Sequence, residues 1–170
     1  MNRKIILQNG SGAFLKNGDS YLLMKRSPDR KIAPNVWSCI GGHMENNELN
    51  NPFETCLREI EEEAGIKRQN ISFLKLRYLL ILQKNKNIIR QYYIYFGETN
   101  TREFINTNEG VLHWVKENEL LEYEFSKTFS EMVEHFIENR NNFSEKVIVG
   151  ITGMENGKNK MKWSELEIYE

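Results

Sequence analysis

The residues best suited to chemistry lie close together between Gly41 and Ile66, in the stretch GGHMENNELNNPFETCLREIEEEAGI. At about 100° per residue, Glu59, Glu62 and Glu63 fall on one arc of a helix, with Arg58 beside Glu62 at i, i+4. Carboxylates crowded on one arc repel one another. Two of them also sit in the last turn, where the helix dipole disfavours negative charge. A cluster of broken local rules points to function, and a bound cation relieves both conflicts. The candidate ligands are all oxygens, which suits Mg²⁺ or Mn²⁺ rather than zinc. The Gly41-Gly42 pair just upstream lets backbone groups approach a metal or a phosphate closely. The competing reading is a solvated acidic helix end, which serves for Glu61 on the opposite side.

The helix that must carry these carboxylates is marked at both ends. Asn51 is a good N-cap residue, Pro52 takes the first helical position, and Glu54 falls three residues after the cap. Gly65 is the stop signal. Phe53, Cys56, Leu57, Ile60 and Ala64 share an apolar face, which predicts burial against a sheet.

Gly42, Glu48, Arg58-Glu59-Ile60, Glu62-Glu63 and Gly65-Ile66 resemble the Nudix box of the Nudix hydrolases. That signature reads G, five residues, E, seven residues, R-E-U-x-E-E-x-G-U, with U apolar. Every fixed position is matched, with one departure in spacing. Nine residues, Leu49 to Leu57, separate Glu48 from Arg58, so two are extra. Pro52 keeps its distance before the arginine, which places the extra residues in the loop ahead of the helix.

The resemblance implies an α+β fold, the Nudix-type α/β/α sandwich with a mixed β-sheet, over roughly residues 11 to 140. It also implies hydrolysis of a diphosphate linked to another group. The implied metal set is the Gly41 carbonyl, Glu59, Glu62 and Glu63, with Glu59 or Glu62 as general base and Arg58 and Glu48 in structural support. A distal metal ligand is implied at Glu109, in Asn108-Glu109-Gly110; Glu98 and Glu103 are the competing acids of the same loop. Gly42, His43 and Arg26 are the implied substrate contacts, although Arg26 also reads as an ordinary surface arginine. His43 has no Cys or His partner at zinc spacing. His113 and His135 read as structural or exposed.

A chain of 170 residues suits one domain spanning 1–170, with the box at 41–66 and a C-terminal extension from about 141 to 170. The formal net charge of −1 gives no overall attraction to nucleic acid polymers or anionic membranes. The apolar runs are too short to span a bilayer, and the first ten residues lack a signal-peptide pattern. Cys39 and Cys56 make no secreted disulfide framework and read as packed free thiols, so the expectation is a cytoplasmic protein, monomer or homodimer.

In chain order, Ile5 to Leu7 reads as an edge strand. Ser11 to Leu15 and Tyr21 to Lys25 form a hairpin around Lys16–Ser20. A basic loop runs from Arg26 to Lys31, and Val36 to Ile40 is one strand leading to the glycines. Ile71 to Gln83 and Ile88 to Phe96 form a long hairpin around Lys84–Asn87. Within it, Tyr92 to Phe96 serves the core and sheet face, or alternatively a base-stacking wall. Residues 97–110 read as a polar loop, and Val111 to Val115 as a strand with Trp114 buried. Glu117 to Glu122 reads as a helical turn, and Phe129 to Asn139 as a helix capped by Ser126 or Thr128. Lys146 to Thr152 and Lys160 to Ile168 form a C-terminal β-hairpin around Glu155–Lys158.

The leading expectation is a Mg²⁺- or Mn²⁺-dependent pyrophosphohydrolase of a small-molecule nucleotide. The favoured substrate is a nucleoside triphosphate, plain or oxidised, cut to the monophosphate and pyrophosphate. ADP-ribose or another nucleotide sugar is the rival substrate, and a non-catalytic nucleotide sensor or an isoprenyl diphosphate isomerase is the rival class.

Overall fold

The computed structural model describes residues 4–30, 33–142, 145–155 and 158–167. Its centre is β1 (Ile6–Asn17), which runs parallel to β6 (Ile88–Thr99) from Ile6↔Ile88 to Lys16↔Glu98. On its other side β1 pairs antiparallel with β2 (Ser20–Arg26) through a two-residue Gly18-Asp19 turn. It also pairs there with the short β4 (Ile40–His43). β2 is flanked by β3 (Trp37–Ser38) and β7 (Gly110–Lys116). Beyond β6 come β5 (Ile71–Asn85), then β8 (Ile148–Glu155) parallel to it, then β9 (Lys158–Glu165) at the edge. The result is one mixed nine-stranded sheet.

Alternation along the strands divides the core into two layers, one under each helix. Ala13, Leu15, Leu22, Met24, Tyr95 and Leu112 face the first helix, α1 (Pro52–Ala64), where they meet Cys56, Ile60 and Ala64. Phe14, Tyr21, Leu23, Ile94, Phe96 and Val115 face the second, α2 (Lys127–Asn139), and meet Met132, Val133 and Phe136. The α/β/α layering therefore follows from period-2 strands set between two amphipathic helices. A short 3₁₀ segment at Glu117–Glu122 leads into α2. Ser126 stands at its N-cap position, but its side chain does not make the capping bond.

Four local expectations are corrected. Ile6 and Leu7 are not a separate edge strand but the start of β1, carried on through Gln8 to Gly10 by parallel pairing with β6. The Val36–Ile40 strand divides at Cys39, because its first part pairs with β2 and its second with β1. Residues 97–99 belong to β6, so the following loop is shorter. Trp114 is half-buried rather than buried; its indole N–H donates to the Arg102 carbonyl at 3.0 Å, and the Arg102 guanidinium lies 4.7 Å over the ring. Both cysteines are free and buried, as expected.

The C-terminal hairpin extends the sheet and docks on α2. Trp163 packs on His135 and Tyr78, the Tyr78 hydroxyl meets His135 Nδ1 at 3.0 Å, and the Met161 N–H donates to Glu131. The hairpin's expected turn (Asn156 and Gly157), the Lys31 end of the basic loop and Ile168 lie outside the described residues. Among the described residues, no helix is long and apolar enough to cross a membrane.

Candidate active site

The site is built where α1 meets β1 and β4. Asn51 caps the helix, its side-chain oxygen accepting the Glu54 N–H at 3.4 Å. Gly65, at φ 70°, closes it in the left-handed conformation and donates its N–H to the Glu61 carbonyl at 2.9 Å. The first turn is tied to the sheet by Ser11, whose hydroxyl donates to the Pro52 carbonyl at 2.7 Å. This docking turns Glu59 and Glu63 inward, to 8% and 6% exposure, while the Glu62 side chain remains 59% exposed.

Gly41 and Gly42 are glycines for steric reasons. Gly41 has φ 151°, and a Cβ there would lie 2.4 Å from the Gly12 Cα and the Ser11 carbonyl oxygen. A Cβ on Gly42 would lie 2.5 Å from a Glu59 carboxylate oxygen. β4 can therefore run against β1 on one side and Glu59 on the other. The Gly41 N–H donates to Glu63 Oε2 at 2.8 Å.

Arg58 sits among the remaining carboxylates. Its Nε and Nη2 donate to the two Glu48 oxygens at 2.8 and 2.9 Å, and Nη1 donates to Glu59 and Glu62, each at 2.9 Å. Nη2 also reaches the His43 carbonyl at 3.2 Å. Glu48 further accepts the Glu45 N–H and the Thr55 hydroxyl, each at 3.0 Å. The Arg58 guanidinium, followed by these bonds, holds the Glu48 carboxyl down to about 2. The longer spacing between Glu48 and Arg58 is taken up by turns over residues 46–50, closed by Glu48 N–H to the Glu45 carbonyl and Asn51 N–H to the Glu48 carbonyl.

Glu63 is the opposite case. Burial pushes its carboxyl up to about 8; the Gly41 N–H opposes this, whereas Glu59 and Glu109 add to it. Burial also raises Glu59, against the pull of Arg58. Glu109 comes from the residue just before β7, lies near enough to Glu63 to raise its carboxyl, and pairs with Arg30 at 3.0 Å. Its loop rivals are elsewhere: Glu98 lies opposite Lys16 and is exposed, as is Glu103.

Among the described residues, no three acidic, histidine or cysteine side chains converge as ligands of one point. Arg58 holds Glu59 and Glu62, the Gly41 N–H holds Glu63, and Arg30 holds Glu109. The donor set nevertheless fits a divalent cation. Glu59 and Glu63 are buried, Glu109 beside them raises the cost of ionising both, and all offer oxygen.

A NUDIX domain model matches residues 7–136. The chain belongs to the NUDIX family. With the family comes the enzyme class, the Nudix pyrophosphohydrolases, whose members generally use a divalent metal. The mutator MutT protein of Bacillus halodurans superposes with a TM-score of 0.70 at 20% identity, covering 92% of this chain and 97% of that one. The MutT protein of Methanosarcina mazei Go1 superposes at 0.69 and 19% identity, over 84% and 100% of the two chains. A curated relative, the m7GpppN-mRNA hydrolase NUDT17 of Xenopus laevis, is 44% identical over 55 residues. That match spans 32% of this chain and only 18% of the relative's length.

Of the residues singled out in the sequence, Gly41, Gly42, Glu48, Arg58, Glu59, Glu62, Glu63 and Glu109 form one connected cluster. His43 joins it through its carbonyl while its side chain is exposed. Arg26 lies opposite Gly110, next to Glu109 in the chain, with Nε donating to the Ala33 carbonyl at 3.2 Å. Ser11 and Thr55 were missed, and Arg30 was read only as part of the basic loop from Arg26 to Lys31. Thr55 lies one turn before Arg58 on α1, a signal that could have been read. The contacts of Ser11 and Arg30 depend on pairing between distant segments.

Proposed function

We propose that this enzyme hydrolyses a nucleoside triphosphate, plain or with a damaged purine, to the monophosphate and pyrophosphate. Mg²⁺ or Mn²⁺ would be held by the Gly41 carbonyl, Glu59, Glu62, Glu63 and Glu109. The observation that carries this reading is the group of buried carboxylates packed on Gly41-Gly42, with Arg30 of the loop after β2 at its rim. When bound, such a cation neutralises phosphate charge and lowers the pKa of the attacking water.

The chain's own groups do the rest. Glu59 takes the proton of the attacking water: its burial raises its carboxyl, and Arg58 fixes its direction. Glu62, held by the same guanidinium, is the alternative base. Arg58 and Glu48 keep both carboxylates aimed, and Arg26, Gly42 and His43 meet the phosphates.

Base stacking falls to the half-buried Tyr92 or Tyr93, because Tyr95 and Phe96 are core residues; the Tyr92 ring lies over Gly10 and packs edge-on against Phe129. A second reading, cleavage of a 5′–5′ triphosphate-bridged nucleotide, rests on the local similarity to the mRNA cap hydrolase.

The test is product identification with Mn²⁺ across nucleoside triphosphates, 8-oxo-dGTP, ADP-ribose and a cap analogue. Pyrophosphate from the triphosphates is the expected result. Orthophosphate alone would remove the reading.

A further inference from the structure

Glu109 has two competing claims on its carboxylate. One is Arg30, whose Nη2 lies 3.0 Å from Oε2, with the two side chains 40% and 36% exposed. The other is the Glu59 and Glu63 pair: Glu109, set just before β7 where Gly110 lies opposite Arg26, adds to the cost of ionising both carboxyls. The backbones on both sides are fixed independently of that ion pair. The Ser27 N–H donates to the Glu109 carbonyl at 3.0 Å, and the Arg30 N–H to the Ser27 carbonyl at 3.2 Å. The Glu109 N–H is taken by the Thr107 hydroxyl at 3.3 Å, and the Leu112 N–H by Asn106 at 2.8 Å. The ion pair can therefore open by side-chain rotation alone.

An exposed Arg–Glu pair is a weak bond, and a guanidinium gains more from a polyphosphate, which offers more charge and bidentate oxygens. We propose that Arg30 is a phosphate-binding residue that holds Glu109 in the free protein and exchanges it for the incoming polyphosphate. The exchange releases Glu109 toward Glu59 and Glu63 just when a divalent cation must be held there. It rests on the polyphosphate reading above. Cation and polyphosphate then favour each other's binding through one side chain.

The test uses Arg30→Gln in the full chain, with Arg140→Gln as the control for a lost surface cation. The probes are Mn²⁺ alone, followed by paramagnetic resonance, then inorganic triphosphate and an α,β-imido nucleoside triphosphate, each at saturating Mn²⁺ by calorimetry. Arg30→Gln should bind Mn²⁺ alone about two- to fivefold more tightly, the range of one exposed ion pair. It should bind the two phosphate probes about tenfold more weakly, the size of a lost charged hydrogen bond. The control should change neither. A loop tie of purely structural kind would weaken all three together, and that result overturns the proposal, as does unchanged affinity for Mn²⁺ or for inorganic triphosphate. Wild-type protein that binds inorganic triphosphate but not the nucleoside analogue would overturn the nucleotide reading, while the other two probes still decide the role of Arg30.

Discussion

Replacing Arg58 by Gln removes a guanidinium that makes five hydrogen bonds, two to Glu48 and one each to Glu59, Glu62 and the His43 carbonyl. The bonds differ in weight. The Glu62 side chain is 59% exposed, so solvent screens that pair to a few tenths of a kcal/mol, about the size of an i, i+4 helix pair. Glu48 and Glu59 are 12% and 11% exposed against a guanidinium at 24%, which puts them nearer the buried limit of about 3–5 kcal/mol. Allowing for the remaining solvent access, the variant loses about 2–3 kcal/mol. At an unfolding entropy of about 0.36 kcal/mol/K for 170 residues, Tm falls by about 6–8 °C at pH 7.

The loss also carries a pH signature. Arg58 depresses Glu48 to about 2, below its ordinary value of 4.5. That stabilisation is present above pH 4.5 and disappears as pH falls through 2. Melting curves of both proteins in chelator should therefore converge as pH falls from 5 toward 2. Arg68→Gln, which breaks the exposed pair with Glu54, should shift Tm by less than about 2 °C. A similarly small shift in Arg58→Gln at pH 7, or a gap independent of pH, would refute this account of the network.

Glu62→Gln should lower kcat about a hundredfold or more at saturating Mn²⁺ while leaving Tm nearly unchanged, because the side chain is exposed; wild-type-like kcat would remove Glu62 from the chemistry. In chelator, the fold favours protonated Glu63, whose carboxyl stands near 8 against 4.5 ordinarily, so Tm should decline as pH rises from about 4.5 to 8. Mn²⁺ should reverse that decline and release a proton on binding near pH 7; a metal-independent Tm at pH 8 contradicts the cluster. Gly42→Ala should cost most of the activity, since its Cβ would displace the Glu59 carboxylate, and an active variant with native Tm would show that Glu59 has room to move.

α1 was the most legible element, because its caps, its apolar face and its acidic arc all lie within one local segment. The hairpins were legible for the same reason: Gly18-Asp19 and Lys86-Asn87 mark their turns. Features set by distant pairing were not legible. Nothing local to Val36–Ile40 shows that it serves two different strands, nor that Ile6 begins a strand whose partner starts at Ile88. The same holds at the site. Glu59, Glu62, Glu63 and Arg58 share one helix, so their grouping could be read directly. Glu109 was one of three acids in a loop until its place before β7, opposite the end of β2, separated it from Glu98 and Glu103. Its pairing with Arg30 needed the whole sheet.

The most direct measurement is the ratio of kcat/KM for nucleoside triphosphates to that for ADP-ribose and for a cap analogue, with pyrophosphate release monitored at saturating Mn²⁺. The account predicts that at least one nucleoside triphosphate exceeds both rivals, in a reaction abolished by chelator. An advantage of tenfold or more for either rival, about 1.4 kcal/mol in transition-state stabilisation, would contradict it.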